Sequence, residues 1–206
     1  MLDKQGFNAW AQAYDKQVRE SDQHKTYPFD GYSNVLYTLY KHATKTNPKT
    51  LLDIGIGTGV LTKRFYDEGL TIYGMDFSDA MIEKAKRRMF NAKLYLHDMK
   101  DGLPNELKNK TYDIIVSSYA FHHLSDDEKI DLINTLLPTL SEHGKLLIGD
   151  IGFETEDDLI RVKNTHKDLW DDTEHYLVYE TIKDKLPPST YTQISTCAGI
   201  LIIPKN

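Results

Sequence analysis

Between residues 50 and 151 the sequence alternates short apolar runs with longer amphipathic windows, and this alternation limits the fold more than any other feature. The apolar runs are TLLDIG, LTIYGMD, AKLYLHD, YDIIVSS and GKLLIGDI, and the helical windows are TGVLTKRFYDEG, SDAMIEKAKRRMF and SDDEKIDLINTLLPTL. Strands separated by helices of this length pair in parallel through right-handed crossovers. The runs are continuously apolar because helices cover both faces of such a sheet. The sequence therefore predicts an α/β protein with a doubly wound, mostly parallel sheet.

The N-terminal part of the chain lies outside this alternation and is predicted to be helical. Residues 3–20 predict one helix, and its apolar side is formed by Phe7, Trp10, Ala11 and Tyr14. A loop over 24–32 separates it from a second helix over about 30–44, which stops before a proline. We expect residues 1–48 to form a helical lid over the carboxyl edge of the sheet.

The C-terminal part departs from the alternation in a different way. STYTQISTCAGILIIPKN predicts two strands joined tightly near Cys197–Gly199, and such a hairpin is antiparallel. Residues 152–188 carry ten Asp/Glu and five Lys/Arg, and we interpret them as an acidic helical insert that contributes to a substrate cap. We expect residues 1–206 to form a single domain.

Charge and composition exclude several classes of partner. The chain has a net charge of −6 and no basic stripe, which argues against a nucleic-acid partner. No run of about 18 apolar residues is present, so no membrane partner is expected. A single cysteine, Cys197, leaves no internal disulfide, and the N-terminus lacks the pattern of a signal peptide. These features predict a cytoplasmic protein. They do not indicate its oligomeric state.

A glycine-rich turn, LLDIGIGTG at 51–59, follows the first predicted strand. Gly55 and Gly57 let the backbone approach a ligand without a Cβ atom in the way. The dinucleotide pattern G-x-G-x-x-G fails from either glycine, because the sixth positions are Val60 and Thr62. The turn therefore leans away from phosphate-bearing cofactors, although a nicotinamide-dependent oxidoreductase stays open as an alternative.

Three aspartates stand at or near the ends of the first three strands. Asp53 precedes the glycine turn, Asp76 closes the second strand and Asp98 closes the third. A carboxylate at the position of Asp76 can accept hydrogen bonds from vicinal ribose hydroxyls. Asp98 can accept from an adenine amino group while the thioether of Met99 packs against the ring. Because parallel strands end at one edge of a sheet, these groups predict a common nucleoside site.

LLDIGIGTG, GMDFSDAM, HDM and YDIIVSSYAFHHL resemble the successive motifs of the class I S-adenosylmethionine-dependent methyltransferases. The resemblance runs from about residue 7 to 151 and extends to the antiparallel C-terminal hairpin. SSYAFHHLSDDEK resembles in particular a group of small bacterial methyltransferases of poorly defined substrate. The resemblance implies a seven-stranded Rossmann-like sheet, S-adenosyl-L-methionine as cofactor and methyl transfer to an acceptor. The residues it implies at the cofactor are Asp53, Gly55, Gly57, Asp76, Phe77, Asp98 and Met99, and we add Ser118 at the end of the fourth strand.

The methyl acceptor is expected to be a small molecule. The positions at which amino-methylating nucleic-acid enzymes carry Asn/Asp-Pro-Pro-Tyr/Phe read Ser-Ser-Tyr-Ala here. Candidate bases are His122 and His123, of which at most one should face the pocket because neighbouring residues point in different directions. The family resemblance adds Tyr14, whose AYD position is often near the sulfonium. Candidate substrate-binding residues are Tyr14, Tyr27, Trp170, His175 and Tyr176.

No metal is expected, because His175 has no histidine four positions later and the single cysteine offers no cluster. A protein that binds S-adenosylmethionine as a sensor without transferring its methyl group is the first functional alternative.

Overall fold

The computed structural model of the chain describes Gly6, Asn8 and residues 13–205. The positions predicted to form the apolar side of the first helix, Phe7, Trp10 and Ala11, lie outside these residues. The remaining member of that set, Tyr14, is the first residue of helix α1.

Eight strands form one sheet in the described part of the chain. They are β1 (Thr50–Ile54), β2 (Thr71–Asp76), β3 (Lys93–Leu96), β4 (Tyr112–Ser118), β5 (Leu140–Phe153), β6 (Leu177–Val178), β7 (Thr190–Gln193) and β8 (Ala198–Pro204). The main path is β3-β2-β1-β4-β5-β8-β7, and β6 adds two residues beside the end of β5. The first five strands are parallel, whereas β8 is antiparallel to both β5 and β7. The prediction of a doubly wound, seven-stranded sheet with an antiparallel C-terminal hairpin is confirmed.

Eight α-helices accompany these strands within the described residues. They are α1 (Tyr14–Gln23), α2 (Tyr32–Thr44), α3 (Thr62–Asp67), α4 (Asp79–Arg88), α5 (Asn105–Lys108), α6 (Asp126–Leu136), α7 (Glu156–Thr165) and α8 (Tyr179–Ile182). Of these, α4 and α6 begin where the sequence supplies an N-cap: Ser78 accepts from the N–H of Met81, and Ser125 forms a capping box with Glu128. None of these helices is both long enough and apolar enough to cross a membrane.

Helices cover the two faces of the sheet with separate apolar clusters. On one face Val35 and Leu39 of α2 are fully buried, and they approach β5 so closely that a Cβ on Gly149 would lie 2.6 Å from the Val35 side chain. On the other face Leu132 and Ile133 of α6 join the cluster beneath β1 and β4. Burying each such side chain contributes ~1.5–3 kcal/mol relative to exposure, and this anchors the carboxyl ends of the central strands.

The C-terminal hairpin turns earlier than the sequence suggested. The prediction of a turn at Cys197–Gly199 is wrong, because the connection between β7 and β8 spans residues 194–197 and Gly199 lies inside β8, opposite Asp150. Gly199 serves close packing: a Cβ there would lie 2.1 Å from the hydroxyl oxygen of Tyr191. The side-chain amide of Gln193 instead closes the connection by donating to the carbonyl oxygens of Gly152, Ser195 and Ala198.

Two further boundaries differ from their predicted windows. Helix α3 begins only at Thr62, because the glycine turn occupies the positions before it. Strand β5 runs for 14 residues, well beyond the predicted run at 144–151. Its extension at the carboxyl end adds Gly152 and Phe153, which pair with β6. Residues 152–188, predicted as a helical insert, hold α7 and α8 but also the short strand β6.

Candidate active site

The carboxyl ends of β1, β2 and β4 surround a cavity of about 60 Å³, called here the first cavity. Its lining includes eight residues singled out from the sequence: Tyr14, Gly55, Gly57, Asp76, Phe77, Met99, Ser118 and His123. These residues come from five separate segments, and the strand order brings them together at the point where the winding of the sheet reverses.

The glycine turn forms one wall of the first cavity. Gly55, Gly57 and Gly59 have φ angles of 71°, 54° and 77°, a left-handed backbone that favours glycine. A Cβ on Gly55 would also lie 2.5 Å from the Cβ of Ala120, whereas a Cβ on Gly57 would meet nothing within 4 Å. Gly55 is therefore required by both packing and conformation, while Gly57 is required by conformation alone.

Asp76 lies at the end of β2 and lines the first cavity. Its two carboxylate oxygens accept from the backbone N–H of Gly57 at 2.8 Å and of Ser78 at 2.9 Å, which ties the glycine turn to the second strand. The side chain is 8% exposed, and this burial raises its pKa to about 6. The backbone N–H of Phe77 adds a third bond, and because a carboxylate has about four acceptor sites, a ligand hydroxyl can still donate to it.

Asp53 lies beneath the glycine turn and is absent from the described lining of the cavity. One of its oxygens accepts from the hydroxyl of Thr62, and the other, Oδ1, has no hydrogen-bond partner among the described residues. The residue is 1% exposed, and burial raises its pKa to about 7. An unpaired buried acceptor of this kind is costly to maintain, and it marks Asp53 as a group with a use beyond packing.

Asp98 is also absent from the described lining, although its neighbours Met99 and His97 line the cavity. Its carboxylate accepts from the N–H of Lys100 at 2.9 Å and caps the 3₁₀ turn Met99–Asp101. The Nε2 atom of His97 is buried without a partner in the described structure. His97 was not singled out from the sequence, where it is one letter of HDM with no distinguishing context.

Tyr119 is a second residue that sequence reasoning missed. It follows β4 with a φ angle of 52°, which is unusual for a bulky residue, and its hydroxyl is buried with no partner in the described part of the chain. Burial raises its pKa well above the usual value, so the hydroxyl stays protonated and can donate. A strained backbone and an unpaired polar group at one position are typical of functional sites. Neither property can be read from the letters SSYA.

A second cavity, of about 310 Å³, adjoins the first. It is lined by Tyr14, Tyr27, Pro28, Phe29, Tyr119, His122, His123, Ile151, Leu169, Asp171, Glu174 and Tyr176. Tyr14, Tyr119 and His123 line both cavities and form the boundary between them. A ligand group in one cavity can therefore meet a ligand group in the other at this boundary.

Three of the five predicted substrate-binding residues line the second cavity, and two lie behind its wall. Tyr27 and Tyr176 line it, joined by a hydrogen bond of 2.8 Å between their hydroxyls, as does Tyr14. Trp170 stacks against the ring of Tyr27 with the centroids 5.8 Å apart. His175 uses its backbone: its N–H donates to the carbonyl oxygen of His122 at 2.8 Å.

Both adjacent histidines face the second cavity, so the prediction that at most one would do so is wrong. They lie on a 3₁₀ turn, Phe121–His123, whose tight winding brings the ring centroids of His122 and His123 to 4.1 Å. The side chain of His122 bonds through Nδ1 to Asp150 at 2.6 Å, and that of His123 bonds through Nδ1 to Glu174 at 2.9 Å.

The pKa values of the two rings are shifted in opposite directions because their surroundings differ. Burial alone would lower the pKa of His122, but the Asp150 carboxylate outweighs it and raises that pKa above the usual value. Burial, together with the neighbouring His122 ring, lowers the pKa of His123 despite its contact with Glu174. The pair thus presents one ring that favours the protonated form and one that favours the neutral form.

Helix α1 is fastened to the glycine turn at the entrance of the first cavity. Asp15 accepts from the hydroxyl of Thr58 at 2.7 Å and forms an ion pair with Arg88, whose guanidinium also donates to the carbonyl oxygen of Thr58 at 2.9 Å. Burial would raise the pKa of Asp15, but these hydrogen bonds outweigh it and hold that pKa below the usual value. This Asp15–Arg88–Thr58 cluster positions Tyr14 between the two cavities.

Comparison with known proteins places this site in context. Residues 51–144 match the family model described as "Methyltransferase domain". An uncharacterized methyltransferase of Anoxybacillus flavithermus is 36% identical over 147 residues, which is 71% of this chain and 66% of that protein, just under two thirds. A further uncharacterized methyltransferase, from Staphylococcus carnosus, is 36% identical over 185 residues, covering 86% of this chain and 85% of that protein.

A solved structure resembles the chain over nearly its whole length. The plantazolicin methyltransferase BpumL, in complex with a pentazolic desmethylPZN analog and SAH, superposes with a TM-score of 0.63 at 19% identity. The match covers 97% of this chain and 96% of that one.

Proposed function

Because the chain belongs to the class I S-adenosylmethionine-dependent methyltransferases, we propose that it transfers the methyl group of S-adenosylmethionine to a small molecule bound in the second cavity. One observation carries the proposal: two cavities of different character meet at Tyr14, Tyr119 and His123. Methyl transfer from a sulfonium is an in-line displacement with a good leaving group, so alignment of donor and acceptor supplies most of what the reaction needs.

The first cavity would hold the cofactor. Gly55 and Gly57 would face its methionine end, where Ser118 also lies, and Asp76 would accept from the ribose hydroxyls. Phe77, Met99 and His97 line the same cavity and would contact the adenine, with the unpaired Nε2 of His97 available for a hydrogen bond.

Two aspartates act from behind the cavity wall in this proposal. Asp98 holds the 3₁₀ turn that carries Met99, and so positions the adenine end without contact. Asp53 would reach the cofactor ammonium through water, using the oxygen that has no partner in the described structure. A cation at that place would favour the ionised carboxylate, against the effect of burial.

The small size of the first cavity supports a lid role for the N-terminal region. About 60 Å³ is below the roughly 300 Å³ at which ligand pockets begin, so we expect the cavity to widen when the cofactor enters. Tyr14 lines it and stands on α1, which the Asp15–Arg88–Thr58 cluster fastens to the glycine turn. We expect cofactor entry to displace this first part of α1.

The second cavity would hold the acceptor. Its lining is mostly aromatic, and among the described residues that form it are two carboxylates, Asp171 and Glu174, but no lysine or arginine. This balance favours a neutral or cationic small molecule over an anionic one. BpumL, which shares the fold, carries an organic substrate analog and SAH together.

Isothermal titration calorimetry with S-adenosylhomocysteine tests the cofactor assignment. We expect saturable binding, and absence of binding at high micromolar concentration would contradict the proposal. A non-catalytic sensor would bind equally well, so a second assay measures formation of S-adenosylhomocysteine from S-adenosylmethionine with a pool of small metabolites. Binding without turnover in any pool would favour the sensor. Thermal stabilisation by NAD(H) alone would favour an oxidoreductase.

A further inference from the structure

We propose that His122, His123 and Glu174 bind a divalent transition-metal ion in the wall of the second cavity. Each offers one ligand atom, and these atoms all lie within 4.8 Å of one another. Two imidazoles and one carboxylate form a ligand set suited to zinc and to other divalent transition metals, with further coordination positions left open. The proposal departs from the sequence-based expectation of no metal, which considered only His175 and the cysteine.

The environment of His122 is the strongest argument. Its Nδ1 bonds to Asp150 at 2.6 Å, so Nε2 is the nitrogen left for a ligand. Asp150 is 3% exposed and is itself held by the backbone N–H groups of His122 and Ile151. A buried carboxylate on the far nitrogen of a histidine is the arrangement that orients metal-bound imidazoles in proteins.

The three ligands are fixed in place by backbone contacts between two distant segments. The N–H of His175, next to Glu174, donates to the carbonyl oxygen of His122 at 2.8 Å. The carbonyl oxygen of His175 in turn accepts from the fully buried ammonium of Lys129 at 2.7 Å. The turn that carries both histidines and the segment that carries Glu174 therefore form one rigid unit, as a metal site requires.

A structural hydrogen bond between His123 and Glu174 is the simpler alternative. Their atoms lie 2.9 Å apart, a normal hydrogen-bond distance that also suits two ligands of one ion. That bond alone explains neither why His122 lies beside the pair nor why Asp150 holds its Nδ1. Metal binding accounts for the arrangement of all four side chains.

The position of the metal site in the wall of the second cavity suggests a role in activating the methyl acceptor, and this role rests on the proposed function. An ion there would face the acceptor cavity beside the boundary residue His123, and an open position could coordinate a thiol or hydroxyl acceptor. Coordination to a metal favours loss of the acceptor proton, which would pass to solvent. The sulfur or oxygen lone pair would then form the new bond to the methyl carbon, and the electron pair of the broken carbon–sulfonium bond would stay on the S-adenosylhomocysteine sulfur.

Metal titration of the chelator-treated protein tests the site directly. Zn²⁺ competition against a chromophoric chelator gives affinity, and Co²⁺ titration gives a visible spectrum that reports ligand number. We expect one ion per chain, with His123→Ala and Glu174→Gln each weakening binding at least tenfold. Asp150→Asn should weaken it by about 10–100-fold, the range for partners of metal-bound histidines. His143→Ala, an exposed histidine outside the cluster, is the matched control and should bind as wild type.

Binding to wild type that is no tighter than to Glu174→Gln would overturn the site, as would an equal loss in the His143 control. Circular dichroism of each variant separates loss of ligand from loss of fold. Addition of 2-mercaptoethanol to the Co²⁺ protein should produce a thiolate charge-transfer band, and its absence would overturn the acceptor role. Calorimetry with S-adenosylhomocysteine reports separately on the proposed function, because the cofactor cavity does not need the metal.

Discussion

The glycine turn in the wall of the first cavity owes its shape to local backbone conformation, whereas the second cavity is walled by side chains from distant segments. The N–H of Gly57 donates to the Asp76 carboxylate, and the N–H of Gly55 donates to the carbonyl oxygen of Met75, so these contacts lie within a short stretch of chain. Tyr27 and Tyr176, by contrast, meet across 149 positions. The glycine turn is therefore visible in the sequence as a local motif, whereas the contact between Tyr27 and Tyr176 is not. We expect changes in the first cavity to alter cofactor binding and changes in the second to leave it intact.

The largest expected effect follows from adding one methyl group to the glycine turn. Gly55→Ala combines a left-handed φ with a Cβ placed 2.5 Å from that of Ala120, and should cost ~2–4 kcal/mol of unfolding free energy. Gly57→Ala meets no atom within 4 Å and should cost only ~1–2 kcal/mol, from its φ alone. Urea unfolding of the two variants measures the difference, and equal losses would remove the packing argument for Gly55.

Asp76→Asn should weaken binding of S-adenosylhomocysteine by ~1.5–3 kcal/mol through loss of charge-assisted hydrogen bonds. Asp98→Asn is the matched control, because that side chain caps a turn and does not line the described cavity. Calorimetry measures both variants. If Asp98→Asn lost as much affinity as Asp76→Asn, the adenine side would depend on direct contact with Asp98 rather than on the turn it caps.

The pH dependence of stability tests the protonation state of Asp53, beneath the glycine turn of the first cavity. Burial raises the pKa of Asp53 to about 7 from its ordinary 3.8, so the folded state holds a proton that the unfolded state releases. The stabilising contribution of this proton is full below pH 3.8 and is lost as the pH rises toward 7. Between pH 5 and 7 the wild type should therefore lose ~2 kcal/mol more than Asp53→Asn. Parallel slopes in urea unfolding of the two proteins would show that Asp53 is ionised throughout.

The smallest effect is expected in the second cavity. Tyr27→Phe removes the hydroxyl that donates to Tyr176 and should cost ~1 kcal/mol of unfolding free energy. Its affinity for S-adenosylhomocysteine should match wild type, because Tyr27 lines only the second cavity. A change in that affinity would break the separation between the two regions.

How far the sequence predicted the fold depended on the range of the interactions involved. The apolar runs located the parallel strands because a strand buried on both faces is continuously apolar, and this is visible within a short stretch of sequence. The hairpin turn was misplaced because Gly199 is needed for close packing against Tyr191 and not for a turn. No local sequence pattern reveals that contact. The ends of β5 outside its predicted run depend likewise on pairing with distant segments: Leu140 pairs with β4, and Gly152 and Phe153 pair with β6.

In the candidate site, too, local features could be predicted from the sequence and long-range contacts could not. Glycines and strand-end aspartates are visible as letters, and the structure places Gly55, Gly57 and Asp76 at one cavity. The left-handed backbone of Tyr119 depends on tertiary surroundings, as does the Nε2 of His97, which has no partner among the described residues, and neither can be predicted from the sequence. The facing of both histidines followed from a 3₁₀ turn that was not foreseen.

The attachment of α1 to the glycine turn has a consequence for turnover. The ion pair of Asp15 and Arg88 is partly exposed to solvent, and dissolved salt screens such pairs. In the lid role proposed for the N-terminal region, product departure requires this attachment to open, so we expect higher ionic strength to speed exchange of spent for fresh cofactor while leaving the reacting groups untouched. The rate of cofactor exchange would thus depend on the Asp15–Arg88–Thr58 cluster, whereas the rate of methyl transfer would depend on the groups that line the cavities.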